Sequence, residues 1–143
     1  MSRSLFPQAV DVLQKNMELR LSRHHVLTSN VANAETPGYV AKDVSFEAEL
    51  RDAALRSEGA AQEKPGLRRT HAQHFSLSLP QVRDVQGTVT ASLSDEVGRD
   101  LNTVSIDQEM GKLTTNTFNY NASAELLSRT LDQLKRTISE GGR

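Results

Sequence analysis

Along residues 5–34, Phe6, Val10, Leu13, Met17, Leu21, His24, Leu27, Val31 and Ala34 recur three or four positions apart, which places them on one stripe of a helix. At a rise of about 1.5 Å per residue such a helix extends roughly 45 Å. It has a local reason to stop. Pro37 disfavours the helical conformation at Thr36, and Gly38 accepts the positive φ that a turn demands. The far end of the chain carries a longer pattern. Ile106, Met110, Leu113, Thr117, Tyr120, Ala124, Leu127, Leu131, Leu134 and Ile138 alternate steps of four and three without a break. That is a heptad seam with the period of a left-handed coiled coil, in which Thr117 and Ala124 are the weakest knobs. Ser105 followed by Gln108 predicts a capping box at its start, and Gly141 and Gly142 predict its end. Gly111 costs this helix up to about 1 kcal/mol relative to Ala.

Between the two patterns, residues 43–103 show no helical period of comparable length. Phe75, Leu77 and Leu79 alternate with polar residues, as do Val89, Ala91 and Leu93, which predicts two short strands joined by residues 80–87 as a small β-hairpin. Residues 56–70, with Glu58, Gly59, Pro65 and Gly66, read as a loop. The expectation is a mainly α chain forming one domain. Residues 1–36 are its N-terminal helix, 37–46 a turn and extended segment, 47–103 a loop-rich insert, and 104–143 the C-terminal heptad helix.

Composition sharpens this picture. Only 36% of the 143 residues are hydrophobic and 4% aromatic, so stability is expected to depend on neighbouring molecules. A net charge of −1 supplies no field to attract nucleic acid or an anionic membrane, and with no Cys there is no disulfide, thiolate metal site or Cys nucleophile. The first residues lack the apolar core and cleavage site of a secretory signal peptide, and no run approaches the length of a membrane helix.

Candidate chemistry is thin. His24 with His25 and His71 with His74 are the only histidines; a metal site needs further ligands, for which Glu63 and Asp84 are loosely placed, and exposed or packed rings are the simpler reading. Lys64, Arg68 and Arg69 form a basic cluster with no aromatic company except Phe75. No glycine spacing suits a phosphate, and no Ser sits in a nucleophile elbow. Neither catalysis nor a cofactor is expected.

Recognition is carried by Asn30-Val31-Ala32-Asn33-Ala34-Glu35-Thr36-Pro37-Gly38-Tyr39. Asn30 and Asn33 are poor interior helix residues whose amides both donate and accept, so they suit a helix end that bonds to a neighbouring chain. The segment, continued by Ala41, Asp43, Val44 and Phe46, resembles the N-terminal signature of the bacterial flagellar basal-body rod and hook proteins. A second block resembles their C-terminal helix: Asn102, Val104, Glu109, Met110, Leu113, Asn116, Tyr120-Asn121-Ala122 and Leu126-Leu127. Val40 and Asn119 depart from the pattern.

The resemblance implies a structural subunit of the proximal rod, exported through the flagellar type III channel without a cleaved signal, and polymerised into a helical tube in the periplasm. Its implied partners are copies of itself, rod subunits of the FlgC, FlgF and FlgG types, the FliE adaptor, the MS ring and the export gate. It also implies that the terminal helices pack as an antiparallel coiled-coil hairpin, each burying its stripe against the other and against neighbours. The expected signature and interface residues are Asn30, Asn33, Thr36, Pro37, Gly38, Tyr39, Tyr120, Asn121, Leu127, Leu131 and Leu134. A FlgC-type subunit, or a soluble coiled-coil export adaptor, is the alternative.

Overall fold

The computed structural model describes residues 5–59, 81–92 and 101–141, and these are mainly helical. Two long helices dominate, α1 (Leu5–Ala32) and, near the other end of the chain, α3 (Ile106–Gly141). The spacing of their apolar positions foretold both. α1 ends where the Pro37-Gly38 pair requires. The Asn33 amide donates to the Ser29 and Asn30 carbonyls, Thr36 N–H donates to Asn33 O at 3.0 Å, and Gly38 takes φ +71°. α3 begins directly after Ser105, whose carbonyl accepts the Glu109 N–H at 2.9 Å.

The middle of the chain differs from expectation in two ways. A helix, α2 (Glu47–Gly59), occupies the start of what reads as a loop-rich insert. Leu50 and Ala53 are its buried positions, continuing the spacing of four and three from buried Phe46 just before it. Glu47 and Glu49 in the first turn and Arg56 in the last complement its dipole. Only a short apolar stripe marks it, which is why no long period betrays it. The β pairing also differs. β1 (Lys42–Ser45) pairs antiparallel with β2 (Thr88–Ala91), Lys42 opposite Ala91 and Ser45 opposite Thr88. The strand predicted around Val89 and Ala91 exists, but its partner is the segment after the signature turn. Phe75, Leu77 and Leu79 lie outside the described residues.

The apolar core sits on one side of α1. Leu19 joins Val44, Phe46, Leu50, Ala53, Val82 and Val85, with Val12 and Val26 packed against the cluster. Val12, Leu19 and Val26 are seven apart, a second helical stripe beside the one the sequence reading favours. Val82 and Val85 are buried at a single 3-10 turn (Val82–Asp84), in a stretch that reads as a mere connection. Gly87 follows because only a glycine fits: a Cβ there would stand 2.5 Å from Val44 Cγ1.

α3 packs along a different side of α1, and its partners run in reverse order. Asn30 meets Glu109, the Arg20 carbonyl meets Asn116, and Asn16 meets Ser123. Glu109, Asn116 and Ser123 are the buried residues of α3. The face turned to α1 is therefore rotated from the predicted seam. It keeps the half-buried Leu113, Tyr120, Leu127 and Leu134, but replaces the other half of the heptad by polar residues. Ile106, Met110, Leu131 and Ile138 are left exposed.

Candidate functional site

The signature turn, β1 and the start of α3 meet at Asn30. Its side chain is wholly buried, and its amide makes four hydrogen bonds. Nδ2 donates to Lys42 O at 2.6 Å and to Glu109 Oε2 at 2.7 Å; Oδ1 accepts from Lys42 N at 3.0 Å and Tyr39 OH at 3.3 Å. These partners all lie within the chain, where the sequence suggested a bond to a neighbouring one. Two donors and two lone pairs are the full capacity of a carboxamide, and all are used within the chain. Asn33 caps locally, its Nδ2 donating to Ser29 O while its Oδ1 accepts from Thr36 Oγ1. Pro37 and Gly38 stand exposed at the turn.

A second residue closes the helix end from a distance. Asn102 Nδ2 lies within 3.3 Å of the carbonyls of Asn33, Ala34 and Thr36. These carbonyls belong to the turn that follows α1, and the segment leading into α3 supplies their donor. Thr103 continues the junction: its N–H donates to Tyr39 O, and its Oγ1 accepts from Ala41 N at 2.9 Å. Buried Glu109 takes Asn30 on one oxygen and Lys112 Nζ on the other at 2.6 Å, and Lys112 also donates to Ser92 Oγ after β2. The buried Glu109 carboxylate thus has the Lys112 ammonium as its counter-charge, which a low-dielectric site requires.

A further ion pair binds α1 to β1 and α2. Arg23 makes two 2.7 Å bonds to Asp43 and one of 2.9 Å to Glu47. The bond to Asp43 raises the Arg23 guanidinium above its ordinary value, against the effect of its own burial. Burial alone would push the Asp43 carboxyl up. Hydrogen bonds from Arg23 and Val44 N, with the charges of Arg23 and Lys112, hold it below its ordinary value instead. Burial pulls Arg20 down, and its guanidinium lies 5.5 Å from the Phe46 ring centroid.

The remaining predicted residues fall on α3. Tyr120 is half-buried beside a groove between α1 and α3, Asn121 is exposed at its rim, and Leu127 and Leu134 are half-buried. Leu131 is 49% exposed. Asn16, Asn102, Thr103, Glu109, Asn116 and Ser123 do work that the sequence reading did not assign. The available signal was the seven-residue spacing of Glu109, Asn116 and Ser123. Among the described residues no group of three or more His, Asp or Glu could hold a metal, and no helix is long and apolar enough to cross a membrane. His24 and His25 stand edge to face, 6.4 Å between centroids. His71, His74, Glu63, Lys64, Arg68 and Arg69 lie outside the described residues.

The side chains of Asn30, Asn102, Thr103 and Glu109 tie α1, the small sheet and α3 together, so the geometry is that of a mainly helical protein whose polar cluster serves packing. No protein-family model matches the chain. It is 36% identical over 136 residues to the flagellar basal body rod protein FlgB of Cereibacter sphaeroides, covering 93% of this chain and 95% of that one. It is 31% identical to FlgB of Escherichia coli over 130 residues, 90% of this chain and 91% of the relative. Identity to FlgB of Aeromonas hydrophila is also 31%, over 138 residues, 93% and 94% of the two chains. The chain belongs to the FlgB family of flagellar basal body rod proteins, structural proteins of the bacterial motility apparatus and not enzymes.

Proposed function

We propose that the chain is a subunit of the proximal rod that leaves the cell through the flagellar type III channel and polymerises in the periplasm into a tube that transmits torque. The observation that carries this reading is the outward face of α3. Ile106, Met110, Leu131 and Ile138 belong to one heptad pattern, yet the fold of a single chain leaves them open to solvent. An apolar stripe of that period on a helix about 54 Å long is suited to cover by further helices. In this reading α1 and α3 act as an antiparallel coiled-coil hairpin, and the chain serves as one domain. Its neighbours are copies of itself, subunits of the FlgC, FlgF and FlgG types, the FliE adaptor, the MS ring and the export gate. The clasp at Asn30 suits torque because it holds both helices and the sheet at fixed angles through short bonds.

The test is to isolate basal bodies from cells making either the wild-type chain or Leu131→Asp. The wild-type chain is expected to copurify with intact basal bodies, and the variant to be absent from them in cells that do not swim. Normal swimming with Leu131→Asp would refute the stripe as an assembly surface.

A further inference from the structure

The two edges of the small sheet differ. Lys42 turns its N–H and C=O away from β2, and the side chain of Asn30 takes both, at 3.0 and 2.6 Å. The carboxamide thus stands where a further strand would. Val44 N–H, two residues on, donates to Asp43 Oδ1. The outer edge of β1 is in this way closed by side chains of its own chain. β2 has no such cover. Antiparallel ladders alternate, so Ala91 and Val89, opposite Lys42 and Val44, also turn their N–H and C=O away from the partner strand. Among the described residues no hydrogen bond reaches those groups. Thr88-Val89-Thr90-Ala91 is exposed throughout and contains none of the charges or prolines that protect natural edges.

An open edge specifies its partner more closely than an apolar patch does, since only extended backbone matches its spaced donors and acceptors. The two faces of the sheet narrow the choice. Directly opposed side chains share a face, so Val89 and Ala91 continue the side on which Val44 is 1% exposed, yet Val89 itself is 56% exposed. Thr88 and Thr90 lie on the other side with Asp43 and Ser45. The strand that fits is uncharged, apolar at alternate positions and hydroxyl-bearing between them. Phe75-Ser76-Leu77-Ser78-Leu79 has that pattern. It ends two residues before Gln81, which leads at once into the 3-10 turn whose Val82 shares the core cluster with Val85 and Val44. That tether holds its end near the sheet.

We propose that residues 75–79 add to the open edge of β2 as a third, antiparallel strand, with Leu79 opposite Val89 and Leu77 opposite Ala91. The leucine side chains then cover Val89, and Ser78 stands opposite Thr90 on the polar side. With β1 closed by Asn30, β2 is the edge open to addition. The pairing belongs to the single chain and does not depend on assembly into a rod.

Amide hydrogen exchange of the purified full chain separates the two states of the edge. Thr88 and Thr90 donate toward β1 and exchange slowly in either case, whereas Val89 and Ala91 are protected only by a further strand. Their exchange is expected to be about tenfold or more slower than in open chain, and to return to open-chain rates in Leu77→Pro, which removes a ladder donor. Open-chain rates at Val89 and Ala91 in the wild-type chain overturn the proposal. The chain contains no Cys, so Ser78→Cys with Thr90→Cys reports the register independently, without touching the apolar side. In dilute solution this pair is expected to form an intramolecular disulfide about tenfold faster than Ser76→Cys with Thr90→Cys, which stands two residues out of register. Equal rates overturn the pairing. A disulfide-linked dimer in place of the intramolecular bond also overturns it, because residues 75–79 would then come from a second copy.

Discussion

Against α2, β1 and the 3-10 turn, α1 presents Val12, Leu19 and Val26 to a sealed cluster of apolar side chains. Against α3 the same helix presents Asn16, the Arg20 carbonyl and Asn30, each hydrogen-bonded to one partner at seven-residue intervals along α3. The two contacts act by different physics. Apolar burial is strong and tolerant of small displacements, at roughly 25 cal/mol per Å² removed from water. A buried hydrogen bond adds only about 0.5–1.5 kcal/mol when made, but costs about 1–3 kcal/mol when one partner is left unmatched. The first contact supplies cohesion. The second selects one register of α3 against all others, as polar residues in a helical seam do. By using polar residues on its inner face, α3 also keeps much of its apolar stripe for surfaces outside the chain.

The contrast can be broken most directly by truncating one leucine from each side. Leu19→Ala should destabilise the purified chain by about 2–5 kcal/mol, since it empties a sealed site. Leu131→Ala should cost at most about 1 kcal/mol in the same denaturant titration, because its side chain is half in water already. Equal losses would mean that Leu131 is part of the fold of the single chain.

Register selection is tested at Asn30. Asn30→Leu leaves Lys42 N–H, Lys42 C=O and one oxygen of Glu109 without partners, at a cost on the order of 3 kcal/mol. The companion variant Glu109→Gln keeps a hydrogen-bonding side chain and should lose less. If Asn30→Leu is neutral by denaturation, the clasp does not hold the junction.

Acid probes the ion pair that joins α1 to β1. The folded chain holds Asp43 below its ordinary value of 3.8, so the carboxylate contributes stability that is fully present above that value. The contribution is lost as pH falls through the lower folded value. Asp43→Asn should therefore flatten the decline of the unfolding midpoint on acidification, while leaving the rest of the profile in place. An unchanged acid limb would show that other carboxylates carry it.

The smallest effect has the opposite sign. A Cβ at Gly111 meets nothing within 4 Å, so Gly111→Ala should stabilise α3 by about 0.5–1 kcal/mol in the purified chain. Destabilisation would reveal a close neighbour on a face that is open in the single chain. A stable variant that fails to enter basal bodies would place that neighbour in the assembly.

Much of this architecture was legible beforehand, for identifiable reasons. Stripes of three-and-four spacing define α1 and α3, because helix periodicity is a local property of the chain. Pro37 and Gly38 mark the turn through their own backbone restrictions, and Asn30 and Asn33 could be singled out as misfits in a helix end. The pairing of β1 with β2 joins residues more than forty positions apart, Lys42 with Ala91, and no local signal encodes it. α2 escaped because it buries only one short stripe. The side of α3 that meets α1 escaped for a deeper reason. Periodicity states which residues share a face, but not which molecule that face meets. Glu109, Asn116 and Ser123 look like solvent positions until Asn30, the Arg20 carbonyl and Asn16 are brought opposite them, and only the tertiary arrangement does that. Burial of a polar side chain is favourable only where its partner already stands, so the choice between a polar inner face and an apolar one is made by the assembled fold and cannot be read from either helix alone.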